Sequence, residues 1–179
     1  MKRFLLVVVL VLNLLVVCAA EESSLSLGLD LRGLDALFMP TLQASAEARL
    51  SLNDEFSLRI PLSLTSDLLY NEVRLWQFGL FLDYYPFRGG LYLSVSLLQM
   101  GMFRGFDKPD ESILYLNEVA FGYTWHISRS VYLEPRLVIT DPSGVFGSEY
   151  ALVKRMFPDR SKFRISLLFG LEVLTFPNL

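Results

Sequence analysis

Apolar and polar residues alternate one by one along most of this chain. Successive side chains of an extended strand point to opposite faces, so strict alternation marks strands whose two faces meet different surroundings. Eight segments carry the pattern: Ser24 to Arg32, Leu42 to Asn53, Glu55 to Thr65, Trp76 to Tyr85, Leu91 to Leu98, Ile113 to Ile127, Val131 to Thr140 and Lys162 to Phe176. In the first, Leu25, Leu27, Leu29 and Leu31 oppose Ser26, Gly28, Asp30 and Arg32. In the second, Ala44, Ala46, Ala48 and Leu50 oppose Ser45, Glu47, Arg49 and Ser51. Pro61 interrupts the third run, where a strand interior ordinarily excludes proline.

The links alternate in length. Asn53-Asp54, Pro86 to Gly90 and Ser128 to Ser130 are short and mostly turn-forming, whereas 33–41, 66–75, 102–112 and 141–161 are longer. Short turns at one end and longer loops at the other are the organisation of an outer-membrane barrel. Asp141-Pro142-Ser143-Gly144 reads as a tight turn. Val145 to Met156 has no clean apolar face, and is expected outside the membrane as a hairpin or loop; counted as a membrane strand it would be a ninth.

Aromatic residues gather at both predicted strand ends. Tyr84, Tyr85, Phe87, Tyr123, Trp125, Tyr132 and Phe176 lie near the short turns, and Phe38, Tyr70, Trp76, Phe103, Phe106, Tyr115 and Phe163 near the long loops. Amphipathic rings favour the headgroup level, so two belts are expected.

Residues 1–20 differ from the rest. Lys2 and Arg3, the apolar run Phe4 to Val17 and the small residues Cys18-Ala19-Ala20 make a secretory leader cleaved before Glu21, leaving 21–179 as a single barrel domain. A retained anchor is the alternative, though the run is short for a helical span. A lipidated Cys18 is another, against which stands the bulky Val17. Cleavage lowers the Lys and Arg count from 16 to 14 against 19 Asp and Glu, a net charge of −5. That acidic balance argues against a nucleic-acid partner, which normally needs a basic face.

The apolar face could fill a lipocalin-like soluble barrel. Eight strands, however, enclose room only for side chains or one small ligand, and Leu, Phe and Trp on nearly every strand overfill it. The face rich in Ser, Gly and Ala fits. The expected fold is therefore all-β: an eight-stranded antiparallel up-and-down transmembrane barrel with a polar interior. Asp30, Arg32, Glu47, Arg49, Arg59, Asp83, Glu118, Glu134, Arg136, Arg164 and Glu172 would form an interior ionic network, since an unpaired ion in a narrow lumen costs several kcal/mol. Phe81, Leu98, Met100, Leu114 and Leu116 would add a modest apolar patch on the same face.

Catalytic chemistry is sparse. One His excludes a multi-His metal site, and no Cys survives cleavage, so neither cofactor nor metal is expected. His126-Ile127-Ser128 resembles the His-x-Ser of outer-membrane lipid A deacylases, but the neighbouring signature residues are absent and a polar turn explains it. No enzyme is expected.

Phe78 to Leu97, FGLFLDYYPFRGGLYLSVSL, resembles small outer-membrane barrels of the OmpW/OmpA-like class. The likeness rests on Asp83, Tyr84, Tyr85, Pro86, Phe87, Gly89 and Gly90, a strand ending in an aromatic-Pro-aromatic segment before a Gly turn. It implies a bacterial outer-membrane protein that binds or passes small hydrophobic molecules. The alternative is a structural or adhesive barrel acting through its loops. Expected partners are outer-membrane lipids, periplasmic chaperones and barrel-insertion machinery, with a host or extracellular ligand possible. Such families end in an aromatic; here Phe176 is followed by Pro177-Asn178-Leu179.

Overall fold

The alternating segments become one continuous wall. The structure, a computed structural model, describes residues 23–31, 41–67, 74–104 and 113–176. The leader, Arg32, Phe38, Tyr70 and Phe106 lie outside them. The strands are β1 (Ser23–Asp30), β2 (Thr41–Ser51), β3 (Phe56–Asp67), β4 (Arg74–Tyr84), β5 (Leu91–Arg104), β6 (Ile113–Tyr115), β7 (Glu118–Tyr123), β8 (Trp125–His126), β9 (Val131–Thr140) and β10 (Phe163–Phe176). Each pairs antiparallel with its neighbours, and β10 closes the sheet on β1. The segments β6, β7 and β8 run between β5 and β9 as one wall strand in three pieces. The result is a closed eight-stranded antiparallel barrel, in which β10 pairs with both β9 and β1 so that the first and last strands are not open edges. Leu52–Glu55, Tyr85–Gly90 and Ile127–Ser130 close one end in short turns.

The two faces separate as the alternation requires. Leu27, Leu29, Ile60, Leu62, Phe78, Phe121, Leu137, Phe163 and Ile165 stay on the outside, with Ile165 80% exposed. Glu47, Arg49, Arg59, Asp83, Glu134 and Arg136 are buried inside. Trp76, Tyr115 and Phe163 are exposed at the long-loop end, and Tyr84, Phe87, Tyr123 and Trp125 at the other. Phe103 and Tyr132 depart from the expected belts: both are buried on the inner face.

One irregularity reassigns two residues. Between Leu80/Phe81 of β4 and Leu98/Ser96 of β5 the register slips, so Leu97 is an extra residue, a β-bulge. Ser96 Oγ accepts the Glu118 N–H at 2.9 Å across the gap. Beyond the bulge the parity of β5 reverses. Gln99, Gly101 and Phe103 turn inward, while Leu98 is 43% exposed and Met100 has outward parity. The expectation of an inner patch that includes Leu98 and Met100 is therefore corrected. Phe81, Leu114 and Leu116 are buried on the inner face. The same strand runs on to Arg104, past the expected end at Leu98.

A second correction concerns Val145 to Met156. The segment folds into helix α1 (Gly147–Met156), not a hairpin or loop. Asp141 launches it: φ is +51°, its N–H donates to Asn117 O at 2.8 Å, and its Oδ1 accepts the Phe146 N–H at 3.0 Å. Glu149 in the first turn and Lys154 and Arg155 in the last complement the helix dipole.

Small residues on the inner wall make room for rings. Gly122 lies opposite Tyr92, and Gly170 opposite Tyr132, and a Cβ at either glycine would collide with the facing ring. Glycines covered by aromatics let a narrow barrel curve without leaving voids. Gly170→Val is therefore expected to cost about 1–3 kcal/mol by overpacking, read from urea unfolding in micelles. Gly89→Ala, where the nearest atom to an added Cβ is Phe87 O at 3.7 Å, is expected to be nearly neutral.

Candidate functional site

Three arginines and three carboxylates meet inside the short-turn half of the barrel. Glu47 and Arg49 come from β2, Arg59 from β3, Asp83 from β4, and Glu134 and Arg136 from β9. Arg49 and Arg59 are direct cross-strand partners, and like charges so placed repel. The carboxylates resolve the conflict. Arg49 Nη1 and Nη2 donate to the two oxygens of Glu134 at 2.7 Å each, and Nη2 also reaches Glu47 at 3.3 Å. Arg59 Nε donates to Asp83 at 3.1 Å and its Nη1 to Glu47 at 3.2 Å. Arg136 Nη1 donates to Glu47 at 2.8 Å.

Neutral groups complete the shell. Glu134 also accepts the Tyr92 hydroxyl and, at 3.1 Å, the Thr124 hydroxyl, so both its oxygens are fully used. Arg59 Nη2 donates to Ser94 at 2.5 Å, and its guanidinium lies 4.9 Å from the Phe81 ring centre. Arg49 sits between Tyr92 and Tyr132 at 5.6 and 5.7 Å, and donates to the Tyr85 hydroxyl at 3.3 Å. Burial holds that Tyr85 phenol, beyond the end of β4, above its ordinary range against the opposing pull of Arg49. It stays protonated.

The other predicted charges are dispersed. Arg164 pairs with Glu118, which also accepts the Thr140 hydroxyl at 2.9 Å, and Ser166 donates to Asp30 at 2.6 Å. Glu172 is half-buried at the short-turn mouth, apart from the six-residue cluster. Arg32 lies outside the described residues. The sequence pattern did not single out Arg160, which follows α1 and reaches inward to Gln77 Oε1 at 2.8 Å. Nothing in a period-two pattern marks a loop residue that returns to the lumen.

Arg160 belongs to a plug. Val153 and Phe157 are 1% and 0% exposed, packed on Leu75, Phe103, Leu114 and Leu116 at the long-loop end. Two of the predicted patch residues thus serve as the seat of α1. The Tyr150 hydroxyl donates to Arg160 O at 3.3 Å, and burial keeps this phenol above its usual value. Between plug and ion cluster is a polar cavity of about 40 Å3, lined by Ser45, Ser63, Gln77, Gln99, Arg136 and Arg164 among others. Among the described residues Arg136 Nη2, Arg164 Nη1 and Gln77 Nε2 have no side-chain or backbone acceptor, and the space suits a few water-sized groups. A wider cup of about 430 Å3 opens at the short-turn end, where His126 and Glu172 sit on the rim. Ser128 Oγ accepts the Ser130 N–H at 3.4 Å, a turn contact.

Comparison with known proteins bears on the fold. No family model matches the chain, and no curated protein does. The crystal structure of the N-terminal β-barrel domain of Pseudomonas aeruginosa OprF is similar over 86% of this chain and 98% of that one, with a TM-score of 0.50 and 12% identity. The solution structure of the de novo designed TMB2.3 is similar over 86% of this chain and 97% of that one, with a TM-score of 0.45 and 9% identity. The first likeness is to the small OmpA-like barrel as a fold, and does not extend to the OmpW type in particular.

The ion cluster generates a mutational test. Arg49→Met leaves the buried Glu134 and Glu47 short of donors, an expected loss of about 3–5 kcal/mol. Combining it with Glu134→Leu is expected to recover most of that loss. Urea unfolding of the two singles and the double, run as a cycle, checks the coupling.

Proposed function

We propose that this chain is an integral outer-membrane barrel of a diderm bacterium, exported by a leader cleaved after Ala20. Its short-turn end lies in the periplasm and its long loops lie outside. One observation carries the reading: large apolar side chains face outward around a closed wall whose interior is charged. A water-soluble barrel has the reverse arrangement, and exposed apolar surface on this scale calls for a lipid environment.

Within the membrane, the geometry favours a closed structural barrel that presents its loops over a conduit. The lumen is filled by paired ions at one end and stoppered by α1 at the other. The alternative, binding or passage of small hydrophobic molecules, draws support from the apolar cluster Leu75, Phe103, Leu114 and Leu116. That reading requires α1 to leave, because Val153 and Phe157 already occupy the cluster.

Whole-cell protease shaving with heat-modifiable gel migration tests location and closure together. Cleavage confined to the long loops and a heat-shifted band are expected; cleavage at the short turns overturns the orientation. Ile60→Arg, on the exposed outer face, is expected to cost about 2–4 kcal/mol of insertion near the midplane. Phe87→Arg, in a turn and 76% exposed, is expected to insert normally. In planar bilayers the unmutated protein is expected to give only small, sporadic conductance, and a large steady current overturns the closed-barrel reading.

A further inference from the structure

Arg74 and Arg104 are direct partners across β4 and β5 at the long-loop end. Both are exposed and share the outer face with Trp76 and Met102. Neither makes an ion pair or side-chain hydrogen bond among the described residues. Ser66 faces Arg74 from β3, and the adjacent Asp67 has the opposite, inward parity. Two like charges placed face to face repel, and among the described residues no carboxylate pairs with them as Glu47 and Glu134 pair with Arg49 and Arg59 inside.

Their height matters. The outer face of β4 is apolar or aromatic from Trp76 to Tyr84, about 26 Å along a strand at about 3.3 Å per residue. Tilted about 40°, that covers about 20 Å of a band about 25 Å tall. Arg74 therefore stands one outward position above the apolar band, at headgroup level. Beside Trp76, the small side chains of β2 leave a shallow apolar hollow of about 410 Å3, floored by Ala44 and Ala46 and walled by Leu31, Leu64 and Trp76. It continues down the wall into a second, of about 490 Å3, over Ala46 and Ala48. A guanidinium pair on β4 and β5, one outward position beyond the Trp76 that walls this apolar hollow, suits a lipid with phosphate on its head. Guanidinium matches phosphate oxygens two at a time, where a point charge does not.

We propose that Arg74 and Arg104 bind the phosphate groups of a phosphorylated glycolipid of the outer leaflet, with an acyl chain lying in the hollow over β2. The assignment rests on the outer-membrane orientation proposed above, which sets the leaflet that the long-loop end meets.

The test uses the full-length protein refolded in micelles, with native mass spectrometry against bisphosphorylated lipid A, the same lipid dephosphorylated, and phosphatidylglycerol. Wild type is expected to retain the bisphosphorylated lipid well above both others. Arg74→Gln and Arg104→Gln are each expected to weaken retention about tenfold, the scale of one charge-assisted hydrogen bond. The double variant is expected to lose it, while Arg88→Gln at the opposite end leaves it unchanged. Heat-modifiable migration of every variant reports folding, and the dephosphorylated arm needs no variant. Equal retention of the dephosphorylated lipid overturns the phosphate site. Equal retention of phosphatidylglycerol overturns the glycolipid assignment. A wild type that inserts in vesicles but shows no phosphate dependence sinks this proposal alone; one that fails to insert sinks the membrane-barrel reading beneath it as well, and cleavage of the short turns on whole cells sinks the orientation.

Discussion

An eight-stranded barrel has an interior about as wide as the side chains that fill it, so each group placed there must be satisfied by another placed there. The Arg49–Glu134 pair meets that constraint most fully. It joins β2 to β9 across the lumen with two hydrogen bonds at 2.7 Å, and the hydroxyls of Tyr92 and Thr124 use what remains of the carboxylate. Around it Arg59, Arg136, Glu47 and Asp83 arrange themselves so that no charge stands alone. The outer wall then needs only to be apolar, and the inner wall only to be small where a ring must fit.

The two ends of the lumen are closed by different physics. At the short-turn half, charge pairing and hydrogen bonding fill the space with directional contacts. At the long-loop end the filling is apolar: Val153 and Phe157 of the plug sit on Leu75, Phe103, Leu114 and Leu116. Arg160 links the two regimes by reaching from the plug to Gln77. An ion network cut from water is strong when whole and costly when broken, whereas an apolar seat loosens by degrees. Any opening of this molecule would begin at α1.

Alternation made most of the wall legible. β9 spans Val131–Thr140 as expected, because its faces alternate cleanly; its Pro135 falls where the pairing with β7 and β8 is interrupted, between Gly122–Arg136 and Trp125–Leu133, so the missing N–H meets a break in the ladder. β5 was legible only to Leu98. Past Leu97 one extra residue inverts the parity, and Leu98 and Met100 look like inner residues until the bulge is seen. The signal was faint: a Ser at position 96 that can replace a lost backbone partner. Helix α1 was hidden because its barrel-facing residues, Leu152, Val153 and Met156 with Phe157 just beyond, recur at a helical spacing in a segment short enough to pass for a loop. The six-residue ion cluster was readable as inward charges, but which oxygen meets which nitrogen depends on the relative register of the four strands that carry them. Arg160 was not readable at all.

The claim that an intact ionic network holds the interior is most directly tested on the guanidinium groups themselves. Nitrogen-15 NMR of the protein refolded in micelles resolves arginine side-chain N–H exchange and rotation. Arg49, Arg59 and Arg136 should show slow exchange with water and hindered guanidinium rotation, while Arg88, paired with Glu55 on the exposed turn, should exchange freely. Equally fast exchange at all four sites would mean that water reaches the network and that the lumen is open.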